Sequence, residues 1–268
     1  IRVQGNSVAW VEHSFVEGLD TYTGLPSPDN VWDVMISKFN EVNASLQLAQ
    51  FRSFHGTIKG LGLQDRLIDW AEFHIAQEPG LLFEDPVLRL YDLARGLKID
   101  PEDLPDEQYR ALYTEALGRD CWQADWKISK VGVPQGAAVL FCDSRYSVYG
   151  FKTSESSSAT IEAYDKTRKK VVFSNTRTDA GINADSHSLA AEVVNDVLYY
   201  SIIHRYAPRS ARPKDEIIAI NLSTGVSKVL LSTDFLASNW HTDGTYLAYG
   251  HGDLDTEGPI YVNRIVAP

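Results

Sequence analysis

The sequence predicts an all-β fold, and three observations support this class. Valine, isoleucine and threonine recur in short runs together with many aromatic residues, a composition typical of strands. Five apolar segments of eight or nine residues recur along the 268-residue chain, each after a tight turn. A second apolar segment follows each of them after a loop. Short strands at this spacing are typical of sandwiches, barrels and propellers.

The five segments share an aromatic-rich centre and a polar or charged end. They are Ser7–Ser14, Arg66–His74, Ala137–Arg145, Val197–Arg205 and Tyr246–Asp253. Several units continue into a third and a fourth run, which gives inner strand, tight turn, second strand, loop, third strand and hairpin. This unit is a propeller blade. The sequence therefore predicts a β-propeller of about five blades, and a β-sandwich with similar hairpins is the alternative.

We expect one propeller domain that spans residues 1–268. The predicted blades lie at residues 1–52, 57–99, 126–176, 182–232 and 237–268. The last of these units contains no run for an outermost strand.

The fourth and fifth units contain the clearest repeat, over residues 215–250. Ser223-Thr224-Gly225 and Thr242-Asp243-Gly244 have the residue types of hairpin turns. The run from Trp240 to Tyr249 reads W-H-T-D-G-T-Y-L-A-Y and resembles the W-S-P-D-G-x-x-[LI]-[AV]-[FY] repeat of TolB-like and WD40-like propellers, with Thr242 in place of the proline. The resemblance implies a fold and not a function, because propellers serve as enzymes, lectins and scaffolds.

One region interrupts the strand pattern, at about residues 100–125. Asp106–Leu117 has helical spacing, with Pro105 before it and Gly118 after it. The residues on its apolar side are Tyr109, Leu112, Tyr113 and Leu117. We predict an acidic helical insertion, which either connects two blades or acts as a lid.

The connections between the predicted strands differ at the two ends of the blades. Turns before the second strands are compact, at Gly5-Asn6, Gln64-Asp65, Pro134-Gln135-Gly136, Asn195-Asp196 and Asp243-Gly244. Connections after the second strands are long, at Phe15–Asn30, Ile75–Pro86, Tyr146–Ser158 and Tyr206–Asp215. Since binding residues accumulate on long loops of rigid scaffolds, we expect the functional site on this long-loop rim.

Polar side chains at the ends of the second strands are expected to point toward that rim. The residues expected to bind a ligand there are His13, His74, Arg145, Arg205, His251 and Asp253. His204, at the same position of the fourth unit, and His187, on its inner strand, are the candidate catalytic bases. Binding of a divalent metal by histidine remains open, and so does a structural role in which each histidine caps a strand end.

The loop His204–Lys214 is basic on an otherwise acidic chain, and Pro208 and Pro213 restrict it. Arg209 and Arg212 join Arg205 as candidate ligand-binding residues, because guanidinium groups bind carboxylate, sulfate or phosphate. The loop is predicted to contact either an anionic ligand or the acidic insertion.

The formal net charge of −11 argues against a nucleic-acid binder and against an anionic-membrane binder, since both need a basic surface. Phosphate-binding loops, nucleophile elbows and H-E-x-x-H zinc motifs are absent from the sequence. The His and Arg content of the rim favours an oligosaccharide or another small molecule as the partner, and a protein partner stays open. The sequence leaves the compartment open and favours a secreted or periplasmic location.

Three functions remain open. The first is a carbohydrate-active propeller that binds an anionic sugar chain, either as a polysaccharide lyase or as a glycoside hydrolase. As a lyase it would use His187 or His204 to remove the proton α to a uronate carboxylate, and Arg145 and Arg205 to hold that carboxylate. TolB-like propellers include such lyases, but their full signatures are absent here. The second is a non-catalytic lectin or scaffold, and the third is the propeller domain of a larger enzyme.

Overall fold

In a computed structural model, the structure describes residues 1–19, 26–39, 45–53, 57–64, 67–73, 87–110, 112, 137–152, 158–178, 189–204, 207–208, 211–251 and 259–268. The chain divides into two compact units, Ile1–Asp120 and Cys121–Pro268. Across the described ranges, regular structure consists mainly of antiparallel strands, which confirms the predicted all-β class.

The first unit contains two four-stranded antiparallel sheets, each built from consecutive strands. Sheet one consists of β1 (Arg2–Gln4), β2 (Ser7–Leu19), β3 (Pro26–Lys38) and β4 (Leu46–Ser53). Sheet two consists of β5 (Thr57–Gln64), β6 (Leu67–Phe73), β7 (Val87–Asp92) and β8 (Leu97–Ile99). Their apolar faces share one core, in which Ala9 and Val34 of sheet one are buried with Ile68 and Trp70 of sheet two.

The other face of sheet two is covered by the start of the acidic insertion. A 3-10 turn at Pro101–Asp103 precedes a helical turn at residues 106–110. Tyr109 and Leu112 pack against the buried Leu88 and Leu90 of β7. The predicted apolar side is thus confirmed for these two residues, whereas Tyr113 and Leu117 lie outside the described residues. Packing on a sheet face favours the connector interpretation over the lid.

The second unit contains sheets three, four and five. Sheet three consists of β9 (Ala138–Cys142), β10 (Tyr146–Lys152), β11 (Ala159–Asp165) and β12 (Lys170–Arg177). Sheet four consists of β13 (Leu189–Val194), β14 (Val197–Ile202), β15 (Asp215–Asn221) and β16 (Ser227–Thr233). Sheet five consists of β17 (Leu236–Thr242), β18 (Tyr246–His251) and β19 (Ile260–Arg264).

Sheet four is apolar on both faces. All six residues of β14 are buried, and alternate side chains point to opposite sides because the strand has a two-residue period. Leu198 and Tyr200 join a core with Val148 of sheet three. Val197 and Tyr199 join a core with residues of sheet five, including Leu247. Sheet four is therefore packed between its two neighbours.

The sheets also repeat one turn. Between the third and fourth strands, a side-chain oxygen of Asp92, Asp165 or Asn221 accepts two main-chain N–H groups from residues two and three positions later. Such turns hold a tight reversal with local hydrogen bonds. First strands of neighbouring sheets also lie side by side, β1 with β5 in one unit and β13 with β9 and β17 in the other. This is the architecture of propeller blades, as predicted; the number of blades and the single domain remain predictions.

Two predicted segments differ from the structure. The predicted loop Phe15–Asn30 is largely strand, because β2 and β3 stay paired from Ser7 opposite Lys38 to Leu19 opposite Pro26. Ala137–Arg145 contains β9, the first strand of its sheet and not the second, and Tyr146–Ser158 contains β10. An aromatic-rich run with a polar end describes first and second strands equally well, so the pattern did not fix the position within the sheet.

Candidate functional site

His204, a predicted catalytic base, lies in a buried charged cluster where β14 leads into β15. Its main-chain N–H donates to Asp215 Oδ1 over 2.8 Å, and its Nδ1 lies 3.5 Å from the same oxygen. Arg212 donates from Nη2 to Asp215 Oδ2 over 2.8 Å, and Leu236 donates its main-chain N–H to that oxygen, also over 2.8 Å. The carboxylate therefore joins the β14–β15 connection to the first residue of β17.

The electrostatics of the cluster favour the charged carboxylate. Burial by itself would raise the pKa of Asp215, but the hydrogen bonds from His204 and Leu236 and the charge of Arg212 outweigh it, so the pKa lies below its ordinary value. The guanidinium of Arg212 also lies 4.8 Å from the ring centre of Phe235, a cation–π distance. Arg212, predicted to bind an anionic ligand, is thus engaged by an acid of its own loop.

The burial of this cluster determines whether a substrate can reach its side chains. His204 is 1% exposed and Asp215 is fully buried, so a substrate does not reach either side chain in this conformation. A general base must come within hydrogen-bond distance of the proton that it removes. The geometry therefore favours a structural role for His204, which was the alternative left open above.

Arg145 lies at the other end of its sheet from the predicted rim. It is in the β9–β10 turn, where Asp143 Oδ1 accepts the main-chain N–H groups of Arg145 and Tyr146. Its guanidinium donates to Asp196 in the β13–β14 turn over 2.5 Å, and Tyr146 donates its hydroxyl to the same oxygen over 2.8 Å. The predicted position of Arg145 on the long-loop rim is wrong, because β9 is a first strand.

The Arg145 cluster ties two compact turns together and is partly exposed. Burial and the hydrogen bond to Asp196 raise the pKa of Tyr146 to about 12. The hydrogen bond from Tyr146 in turn helps to hold the pKa of Asp196 below its ordinary value. A tyrosine with this pKa stays neutral at physiological pH and donates a stable hydrogen bond, which is a structural task.

His13 lies on β2 in an aromatic group. Its ring stacks on Trp32 directly opposite, with centroids 4.0 Å apart, and meets Phe15 edge-on at 4.6 Å. Its Nε2 lies 2.7 Å from Asn30 Oδ1 on β3. These four side chains lie on the sheet face that begins with the buried Ala9 and Val34.

Beyond this group, no strand in the described part of the chain flanks the β2–β3 hairpin. β1 accompanies β2 only from Ser7 to Ala9, and β4 pairs with β3 no further than Asn30. Residues 15–19 and 26–29 therefore form a two-stranded ribbon, which we call the hairpin arm. Phe15 is 63% exposed on this arm and Val16 is 42% exposed, although both are large apolar residues.

His251 is the last residue of β18. It lies at the end of sheet five that was predicted to belong to the long-loop rim. Its ring meets Tyr261 of β19 edge-on, with centroids 6.2 Å apart. Tyr261 stacks on Tyr249 at 5.5 Å and is 44% exposed, and Asn263 donates to the hydroxyl of Tyr249 over 3.2 Å. His251 and Tyr261 together form an aromatic patch with polar neighbours.

The structure thus brings His204 and Arg212 together and separates both from Arg145, at opposite ends of their sheets. Five further predicted site residues lie outside the described residues, namely His74, His187, Arg205, Arg209 and Asp253. Among the residues that are described, no three or more His, Cys, Asp or Glu side chains are grouped so as to hold a metal ion. No described helix has the length and apolarity to cross a bilayer.

Sequence reasoning missed Asp215, Asp196 and Phe15. Asp215 stands three residues after Arg212 and opens an apolar run, a spacing that permits a local ion pair. Asp143 and Tyr146 repeat the spacing of Asp243 and Tyr246, which identifies the β9–β10 turn as the counterpart of the β17–β18 turn. No comparable signal marked Phe15, since its exposure follows from where the neighbouring strands end.

Comparisons with known proteins bear on the fold alone. Neither a family model nor a curated protein matches the sequence. Matches among solved structures include TolB from Acinetobacter baumannii, at 13% identity and a TM-score of 0.32 over 87% of this chain and 46% of TolB. They also include the β-propeller domain of the Trilobed protease from Pyrococcus furiosus, at 11% identity and a TM-score of 0.36 over 98% of this chain and 66% of that one.

A third match is the acylaminoacyl peptidase of Pyrococcus horikoshii, at 10% identity and a TM-score of 0.35. It covers 98% of this chain and 37% of the peptidase, so the chain spans from about one third to two thirds of the length of these solved chains. At the level of fold the chain resembles TolB and peptidase propellers, as the repeat around Trp240 predicted. The blade architecture itself is established by the sheet order and the repeated turns described above.

Proposed function

We propose that this chain is a non-catalytic binding domain of the propeller type, which contacts a protein partner through the hairpin arm. The observation that carries the proposal is the exposure of Phe15 and Val16, at 63% and 42%, on a ribbon that runs past its own sheet. Phe15 and Val16 point to opposite faces of the ribbon, so each face exposes an apolar side chain, and exposed apolar surface on a projecting element is typical of interaction sites. Aromatic residues of this kind provide much of the binding energy at protein interfaces.

Contacts at the base of the hairpin arm keep its two strands ordered before a partner binds. An isolated two-stranded ribbon is only marginally stable in water. Here the His13–Trp32 stack and the hydrogen bond from His13 to Asn30 tie the two strands together where the pairing of β4 with β3 ends. An ordered ribbon loses less conformational freedom on binding than a flexible loop does, which favours affinity.

The charge of the arm indicates the chemistry of its partner. The arm itself contains the acids Glu17 and Asp29, its base at residues 12–14 and 30–33 contains Glu12 and Asp33, and neither part contains lysine or arginine. The whole chain is acidic as well, with a net charge of −11. A complementary surface would offer an apolar pocket for Phe15 with basic residues around it.

The test uses the purified chain as bait, with Phe15→Ala and Phe39→Ala as matched variants. Phe39 is also an exposed phenylalanine of the first unit, 36% exposed, but it follows the opposite end of β3. Proteins retained from the source organism's extract are identified by mass spectrometry, purified and titrated against all three forms. We expect Phe15→Ala to weaken binding about tenfold or more and Phe39→Ala to leave it unchanged.

Added salt should weaken the same complex, since acidic and basic groups attract less strongly at high ionic strength. Equal affinity of the wild type and Phe15→Ala for every partner so identified would refute the proposal. So would a partner whose binding is insensitive to salt and lost equally in both variants.

A second candidate function is binding of an anionic sugar chain at the patch of His251 and Tyr261. The exposed tyrosine ring offers a stacking surface, and the imidazole lies at its edge. Glycan arrays with the wild type and Tyr261→Ala would test this candidate. Binding of a uronate-containing chain that is lost in Tyr261→Ala supports it, and growth of unsaturated-uronate absorbance in the same mixture would extend it to lyase activity. If no glycan binds, this second candidate is refuted and only the protein-binding proposal remains.

A further inference from the structure

The turn between the third and fourth strands has the same form in sheets two, three and four, but one of its residues differs in kind. Four positions after the side chain that accepts two main-chain N–H groups, the backbone takes a positive φ in all three turns. Gly96 and Gly225 occupy this position in sheets two and four, with φ of 66° and 74°. Lys169 occupies it in sheet three, with φ of 54°.

Lysine is an unfavourable residue for this position. Glycine adopts the left-handed conformation readily, whereas in any other residue the Cβ comes too close to a main-chain carbonyl oxygen. The turn itself does not require a lysine, since glycine forms the same turn twice in this chain. Residues held in sparsely populated backbone conformations are concentrated at functional sites. The reason for the lysine must therefore lie in its side chain.

This lysine belongs to a run of basic residues. Residues 166–170 read K-T-R-K-K, which places four cations in five positions. The same five positions of the other two turns are far less charged, because residues 93–97 contain one base, Arg95, and residues 222–226 contain no charged residue. Every residue of the run after Lys166 is exposed. We call residues 166–170 the basic turn.

The buried carboxylate of Asp165 holds the basic turn in place. Its Oδ1 accepts the main-chain N–H groups of Thr167 and Arg168, both over 2.9 Å, and the residue is 1% exposed. Arg168 also places its Nε 3.7 Å from Oδ2 of this carboxylate. In the part of the chain that the structure describes, no ion pair engages Lys169 or Lys170, so their charges face solvent.

We propose that the basic turn binds a short acidic segment of a protein partner. Carboxylates placed along such a segment complement cations that follow one another in a compact turn. Three of the four cations are lysines, whose ammonium groups act as point charges and do not require a planar ligand. Because Asp165 fixes the main chain of the turn, the cations start from a defined backbone and less order is lost on binding.

The rest of the chain favours a short acidic peptide over a long polyanion. The formal net charge is −11, so duplex nucleic acid or an anionic membrane meets repulsion beyond the basic turn. Single-stranded nucleic acid binds largely by stacking its bases on aromatic side chains, and residues 166–170 contain none. An acidic peptide needs neither an extended basic face nor a stacking surface.

This inference is independent of the proposed function of the hairpin arm. The arm belongs to the first unit and is acidic, whereas the basic turn belongs to the second unit and attracts the opposite charge. Substitution of Lys169 leaves Phe15 and the charges of the arm unchanged, so the two proposals fail separately.

The test titrates a fluorescein-labelled peptide of eight glutamates with the whole chain at low salt and follows the anisotropy. Lys169→Gly and Lys169→Ala both remove the charge from the basic turn. Lys98→Ala is the matched control, because Lys98 is an exposed lysine of β8 and its loss changes the net charge equally. We expect a wild-type Kd below about 0.1 mM, binding about threefold or more weaker in both Lys169 variants, and unchanged binding in Lys98→Ala.

A second measurement distinguishes a binding role of the lysine from a structural one. Lys169→Gly should raise the thermal unfolding midpoint by about 2 °C or more, because glycine relieves the strain of the left-handed conformation. Lys169→Ala keeps that strain and should leave the midpoint nearly unchanged. Binding of the peptide should nevertheless weaken equally in both variants, since both lack the ammonium group.

A wild type that does not bind the peptide at about 0.1 mM would overturn the proposal. Wild-type affinity in Lys169→Gly, or an equal loss of affinity in Lys98→Ala, would also overturn it. Tighter binding of an oligothymidylate with the same number of charges would assign the basic turn to nucleic acid and overturn the choice of an acidic peptide.

Discussion

The Nδ1 atom of His204 lies 3.5 Å from Oδ1 of Asp215, and both side chains are buried where β14 leads into β15. The same carboxylate receives the main-chain N–H of Leu236, the first residue of β17. One side chain therefore fixes the connection within sheet four and the start of sheet five. Buried charges are stable only when they are paired and hydrogen-bonded, and Asp215 has the guanidinium of Arg212 as its ion partner as well as main-chain donors.

Replacement of Asp215 by alanine should destabilise the chain strongly. The change leaves the N–H groups of His204 and Leu236 and the guanidinium of Arg212 buried without their acceptor, which costs about 3–5 kcal/mol. Urea unfolding followed by circular dichroism measures the loss. Asp143→Ala is the matched control, because Asp143 also accepts two main-chain N–H groups but is exposed, and about 0.5–1.5 kcal/mol is expected there. Equal losses in the two variants would contradict the importance of burial.

The stability of the chain should fall in acid partly through Asp215. Its folded-state pKa lies below the unfolded value of about 3.9, so its contribution is complete above that value and is lost as the pH falls through the folded-state pKa. Unfolding free energies measured from pH 6 down to pH 2.5 should decline less steeply in Asp215→Asn than in the wild type, because the amide does not titrate. Parallel curves for the two proteins would count against this assignment.

Substitutions at two glycines with a positive φ distinguish the cost of backbone strain from the added cost of a steric contact. Gly225 has φ of 74° with open space where a Cβ would lie, and Gly244 has φ of 87° with Val194 Cγ1 3.3 Å from that position. Gly225→Ala should cost about 1 kcal/mol from the left-handed conformation alone. Gly244→Ala should cost more, since the neighbouring valine must also move. Thermal unfolding midpoints would show this order, and a reversed order would contradict it.

His13 should hold the two strands of the hairpin arm together. His13→Ala removes the stack on Trp32, the edge-on contact with Phe15 and the hydrogen bond to Asn30, at a cost of about 1 kcal/mol. Amide hydrogen exchange in residues 14–19 should accelerate several-fold. Glu12→Ala, on the opposite face of the same strand, should leave that exchange unchanged, and acceleration in both variants would show that the imidazole is not the cause.

The blade pattern could be predicted from the sequence because it depends on short-range features. Turn residues such as Asp243 and Gly244 act within three positions, and strand alternation acts within two. The length of β2 could not be predicted in the same way. Val16 and Leu19 continue the apolar pattern, but Pro26, Pro28 and Gly18 indicate a loop, and the long-range pairing with β3 outweighed these local signals.

The candidate site was harder to predict than the fold. His204, Arg212 and Asp215 are close in sequence, so their proximity could be expected, but their burial follows from the packing of sheet five on sheet four. The contact of Arg145 with Asp196 joins turns that lie 51 residues apart, and no local pattern specifies it. The polar ends of strands therefore indicated where charged groups lie without showing which of them face solvent.

Sheet four also determines which positions of this fold are free to diverge. β14 has no solvent-facing side, so six successive residues from Val197 to Ile202 must keep their volume and polarity together. The outer strands carry exposed valines such as Val171 and Val229, where substitution has little energetic consequence. Natural variation among related chains should accordingly be lowest along β14 and highest along β12 and β16. For the same reason, the pairing of β14 with β15 should be the last part of the second unit to unfold.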